Sequence, residues 1–206
     1  MNRNLSRALK GLALAAAFAA PLAANAESNF VTGGGVLNAQ ARVDFRINIP
    51  NTLFLQVGTG ALFANNGAID LIEFNVAAAN IGDNNSVAAT AGSGDLGNGT
   101  VTAIVRANGG NATLGASTAG ALGNGAGDSI NWNEITTTAA PLNTAVTLPA
   151  PVLANGASGN IALAAVNGVV NQDARWTYVY DNTAVVPAGV YGGANNGRVT
   201  YTASLP

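Results

Sequence analysis

Residues 41–50 read ARVDFRINIP, and apolar and polar positions alternate through them almost without a break. Ala41, Val43, Phe45, Ile47 and Ile49 fall on one face, and Arg42, Asp44, Arg46 and Asn48 on the other. A period of two is the mark of a half-buried β-strand. Ala39 and, less cleanly, Val36 extend the dry face, and Pro50 stops the run, so the pattern predicts a strand over residues 36–49. Shorter runs of the same kind follow. Leu53, Leu55 and Val57 share one side of 53–57, and Ile72, Phe74 and Val76 share one side of 69–77. Residues 99–107 include VTAIVRA, and ARWTYVY at 174–180 puts Trp176, Tyr178 and Tyr180 together. Brief apolar pieces lie at 112–114, 130–137, 145–148 and 160–166. The run 198–205 aligns Val199, Tyr201, Ala203 and Leu205 as the core face of a closing strand.

The connections are turn chemistry. Asn65-Asn66-Gly67, Gly82-Asp83-Asn84-Asn85, Asn108-Gly109-Gly110-Asn111 and Asn195-Asn196-Gly197 all supply residues that tolerate positive φ. Residues 115–128 form the longest low-complexity stretch and read as a loop. No segment after residue 26 sustains a helical stripe, and no fixed repeat period is present. The expectation is an all-β chain, a sandwich or a barrel. A transmembrane barrel fits poorly, because several strands are too short and the aromatics form no pair of girdles.

The first 26 residues read differently. Arg3, Arg7 and Lys10 precede an apolar stretch at 11–24, and Ala24-Asn25-Ala26 is a small-x-small cleavage site. This is the pattern of a secretory signal peptide cut between Ala26 and Glu27, and it predicts an exported protein. The expected mature chain, 27–206, holds five arginines and ten acidic residues, a net charge of −5, with no Lys, His or Cys. Its arginines are scattered, so no basic patch for nucleic acid is present. Charged residues make up only 9% of the sequence, a scarcity that accompanies poor solubility or burial in an assembly; assembly is the preferred reading over a secreted monomer kept soluble by Asn and Thr.

The same composition removes most chemistry. Without His or Cys neither a His-based triad nor the usual zinc set can be built, and lysine nucleophiles are absent. No enzyme activity, cofactor or metal is expected. Asp70 and Glu73 lie three apart on a strand and point to opposite faces. Asp128 and Glu134 flank Trp132 and only loosely suggest a sugar-stacking site. The Gly/Asp/Asn runs 92–98 and 123–128 faintly echo calcium loops, but they do not repeat in tandem and read as turns.

The chain ends carry the most information. Pro187-Ala188-Gly189-Val190-Tyr191, a Gly/Asn insert and Arg198-Val199-Thr200-Tyr201-Thr202-Ala203 resemble the last hairpin of bacterial fimbrial subunits of the chaperone–usher type. Three features depart from that family. The disulfide of many such subunits is missing, Leu205 replaces the aromatic next to the C-terminus, and 192–197 is an insertion. The resemblance implies an Ig-like antiparallel β-sandwich that lacks one strand and is completed by a neighbour's donor strand. It implies a structural filament subunit, exported through the periplasm to the cell surface and acting in adhesion or biofilm. Its partners would be copies of itself or related subunits, with a periplasmic chaperone and an outer-membrane usher. Head-to-tail donation does not close and gives a fibre. In this frame residues 27–37 are the candidate donor, with Phe30, Thr32 and Val36 as anchors and Gly33-Gly34-Gly35 as the flexible part. Residues 38–206 are then a single sandwich domain whose first strand turns Ala39, Ala41, Val43, Phe45, Ile47 and Ile49 to its own core. A rival register takes 36–45 as the donor, and in a third arrangement the whole segment folds into its own sheet. The competing function is a monomeric secreted binding module, for carbohydrate or a surface ligand, using Trp132, Trp176 or Tyr178.

Overall fold

The computed structural model describes residues 28–206. The expected signal peptide and its cleavage point at Ala26 and Glu27 lie outside the described residues. The chain divides into two units, the second being Pro50–Pro206.

All the described strands belong to the second unit. They are β1 (Leu53–Val57), β2 (Val87–Ala88), β3 (Thr100–Ala107), β4 (Ala112–Thr118), β5 (Leu122–Gly123), β6 (Ser129–Ile130), β7 (Ile135–Pro141), β8 (Ile161–Leu163), β9 (Val170–Tyr180) and β10 (Val199–Ser204). The larger sheet runs β1-β3-β9, with β7 on the far side of β9 and the short β2 pairing the end of β9 beyond β3. The smaller sheet runs β10-β4-β8, and β5 and β6 form a hairpin of their own. Every strand pair is antiparallel, which makes this an all-β, sandwich-like fold.

The core follows from strand alternation. In β3, Val101, Ala103, Val105 and Ala107 are buried while their neighbours are half-buried. They lie opposite Trp176, Ala174, Gln172 and Val170 of β9. Ala112, Leu114 and Ala116 of β4 supply the facing layer. Trp176, fully buried, meets Tyr201 of β10 at 5.3 Å between ring centroids, and its indole N–H donates to the Leu148 carbonyl at 2.9 Å. An aromatic pair bridging two sheets adds about 1 kcal/mol to the burial of its area.

Several elements differ from the sequence expectation. β9 starts at Val170, four residues earlier than its apolar run, and passes Gln172 and Asp173 through the interior. Buried polar groups of this kind persist only when partnered, and Asp173 is partnered on all sides, as described below. β4 runs to Thr118, through part of the stretch expected to be loop. Small residues allow this: Gly115 packs under Asn160, whose side-chain oxygen would lie 2.4 Å from any Cβ placed there. The run 130–137 is broken by a 3-10 turn at Trp132–Glu134. The run 69–77 forms only one bridge, Phe74 to Ala89, with Ile69 and Leu71 exposed.

The largest difference concerns residues 28–49. No helix or strand forms there, and every residue is exposed. The expected first strand is therefore corrected. Val43, Phe45, Ile47 and Ile49 are 75%, 90%, 84% and 77% exposed, and Ala39 and Ala41 are exposed with them. The compact unit begins at Pro50 instead of residue 38, and its first strand is β1. A strand needs a neighbour for its backbone groups and a partner for its dry face. Residues 28–49 belong to no described strand, and the apolar side chains of Val43, Phe45, Ile47 and Ile49 stay exposed.

Candidate functional site: the open edge and the extension

β1 hydrogen-bonds to β3 and β10 to β4, and among the described residues each has its other edge unpaired. The two edges neighbour each other. β1 begins opposite the end of β3, β10 ends opposite the start of β4, and Leu205 and Asn51 both lie against Gly109 in the β3–β4 connection. β1 and β10 therefore run in opposite senses, and their Cα atoms come within 8 Å with no ladder between them. Paired strands sit about 4.8 Å apart and a strand inserted between two others needs roughly twice that. With these Cα atoms within 8 Å, the two edges must part to admit a third strand in the gap between them.

The floor of this gap is apolar. Leu55 and Val57 of β1, Val199, Tyr201 and Ala203 of β10, and Leu205 just beyond it pack against the core yet stay half-buried. The closing-strand residues thus sit at the rim of the core. Tyr201 has the deepest connections, since its hydroxyl meets that of Tyr178 at 2.8 Å besides its contact with Trp176. Burial pushes the Tyr201 hydroxyl up to about 12, and burial with the neighbouring Tyr201 raises Tyr178, so both stay neutral and can share one hydrogen bond.

On the other unit, the alternating residues 39–49 expose their apolar face. Phe30, Thr32 and Val36, the anchors expected for a donor, are exposed as well, but a bend at residues 33–35 separates Val36 from the other two. Residues 28–49 carry a net charge of +1 and residues 50–206 one of −5.

The remaining candidates are engaged in structure. Trp132 is buried, with its indole N–H donating to the Gly120 carbonyl at 2.8 Å, and Trp176 and Tyr178 are buried too. The aromatic platform of a carbohydrate-binding module is therefore not on the surface. Asp128 accepts from the Asn124 side chain, Asp95 from the Thr102 N–H, and Glu134 from Thr183. No group of three or more His, Cys, Asp or Glu able to hold a metal occurs among the described residues. No helix among them is long and apolar enough to cross a membrane.

Among the described residues Asp173 is the one buried ion. Arg106 donates to it at 2.9 Å, and the N–H groups of Asn143 and Thr144 at 2.8 and 2.9 Å. Burial alone would raise its carboxyl, but these bonds outweigh burial and hold it at about 2. The arrangement pins the 143–147 loop to β9. Sequence reasoning missed this group, because Arg106, Asn143 and Asp173 stand far apart in the chain and only strand pairing unites them. No protein-family model matches this chain, and no curated protein or solved structure matches it either.

Proposed function

We propose that this protein is a structural subunit of a bacterial surface filament, assembled non-covalently by β-strand donation between copies of the chain. The observation that carries the reading is the exposed apolar face of residues 39–49 in a chain whose sandwich has an unpaired, half-buried edge. An extended segment added to an open edge gains ladder hydrogen bonds, and its alternate side chains reach the core. The donor is residues 39–49, with Val43, Phe45, Ile47 and Ile49 as anchors, in place of Phe30, Thr32 and Val36. The acceptor is the gap between β1 and β10 of an Ig-like sandwich. The opposite charges of the two units favour the encounter.

Direction follows from the requirement that the contact does not close. Each subunit's own extension leaves at the start of β1, beside the end of β10. A donor antiparallel to β10 puts its own subunit at the opposite end of the gap, so contacts propagate head to tail. A donor parallel to β10 would bring both extensions to one end and favour a closed pair. A chaperone and usher, export through the periplasm and a role in adhesion or biofilm belong to the same reading. The binding-module alternative has no observation in its favour, since its aromatics are buried.

The test is a gel of sheared cell-surface material, compared before and after boiling in SDS. A strand-donated joint unfolds slowly and resists detergent without heat. The expected result is a ladder that collapses on boiling to one band near the mature mass, and that is lost when residues 39–49 are deleted. A single monomer band in both lanes overturns the proposal.

A further inference from the structure

We infer that Asn108 is a positioning residue that stops the extension from folding back onto its own sandwich and so commits it to a second copy. The inference rests on the filament reading above. An alternating segment joined directly to β1 has an obvious alternative to donation. It can turn at residues 50–52, form a hairpin with β1 and fill its own gap. The local sequence, Ile49-Pro50-Asn51-Thr52, suits a β-turn, with Pro at the first central position and Asn at the second.

Two turn registers would serve. The turn centred on Pro50 and Asn51 closes through a bond from the Thr52 N–H to the Ile49 carbonyl. Proline's fixed φ keeps that turn to the unprimed types, which match a hairpin's twist poorly. The turn centred on Asn51 and Thr52 closes through a bond from the Leu53 N–H to the Pro50 carbonyl. The Asn108 side chain takes the closing group of each. Its oxygen accepts from the Thr52 N–H at 2.6 Å, and its amide donates to the Pro50 carbonyl at 2.8 Å. The Thr52 hydroxyl adds a third bond to the same oxygen at 3.2 Å. The backbone N–H of Asn108 donates to the Thr52 carbonyl, which anchors the side chain at this spot. An Asn beside a turn usually bonds its own neighbours; this one reaches across 56 residues.

The experiment uses the mature chain, with heated and unheated SDS gels and limited trypsin digestion. Arg42 and Arg46 lie in the exposed segment, so trypsin reports whether that segment is seated in a groove. In wild type the ladder forms and both bonds are protected within it. In N108A the ladder is expected to fall roughly tenfold, as the loss of these bonds frees both turn-closing groups. It is replaced by a monomer whose Arg42 and Arg46 bonds are still protected. A ladder equal to wild type in N108A overturns the inference and leaves the filament reading intact. So does an N108A monomer that trypsin cuts at Arg42 or Arg46, since Asn108 would then support the groove without directing the strand. A wild-type chain that is monomeric in both lanes overturns the filament reading, and the inference with it. N108D keeps the acceptor for Thr52 and loses the donation to Pro50; where N108A does not fold, N108D is judged by the same criteria.

Discussion

Residues 41–49 and β3 carry the same pattern, apolar at every second position and polar between save for Ile104, yet end in opposite surroundings. Val101, Ala103 and Val105 are at most 3% exposed, whereas Phe45 is 90% exposed. The difference is not in hydrophobicity, since Phe45, Ile47 and Ile49 are larger than the residues that β3 buries. It lies in partners: β3 sits between β1 and β9, with hydrogen bonds on both edges, and residues 41–49 form no ladder. Alternation specifies that a strand has a dry face. It does not specify whose core receives it.

That contrast can be broken first at the extension. Phe45→Asp combined with Ile47→Asp is expected to abolish the detergent-resistant ladder. Thermal unfolding of the 50–206 unit should stay unchanged, because neither side chain is buried in it. A ladder that survives the pair of charges would remove residues 39–49 as the donor. Trp176→Ala should do the reverse, costing about 3–5 kcal/mol in urea unfolding through loss of a large buried aromatic. Both its contact with Tyr201 and its bond to Leu148 disappear.

Asp173→Asn sharpens the comparison on the buried side. It should cost about 2 kcal/mol at neutral pH, since Arg106 loses its charged partner. The pH dependence has a definite sign. A carboxyl held at about 2 stabilises the fold above its unfolded pKa, and that contribution is lost as pH falls from about 4 toward 2. Unfolding midpoints of the wild type should drop through this window, and those of Asp173→Asn should drop less. The smallest effect is expected from Phe30→Ala. It should leave unfolding within about 0.5 kcal/mol of wild type and the ladder intact, because Phe30 lies before the bend at 33–35. Loss of the ladder in Phe30→Ala would return the donor to residues 27–37.

Much of this molecule was legible in the residues themselves. The alternation of β1, β3 and β10 and the aromatic face of β9 showed in period-two patterning, and the Gly/Asn clusters marked the connections between strands. What stayed hidden was set by contacts between distant residues. Nothing near Asp173 in the sequence marks it for burial; Arg106 and the 143–144 backbone are brought to it only by the fold. The stretch at 115–118 reads as loop because Gly, Ala and Ser carry little hydrophobic signal, and it becomes strand because β10 pairs with it.

The sequence by itself determined an all-β chain, a dry face on residues 39–49, and a composition with neither His nor Cys for the usual catalytic or zinc sites. Only the tertiary structure decided that this dry face is exposed, that the compact all-β unit begins at Pro50, and that the edges of β1 and β10 are left open beside each other. The physical reason is that a strand's preference is local, fixed by side chains two residues apart. Its burial and its ladder depend on which other strands the fold sets beside it.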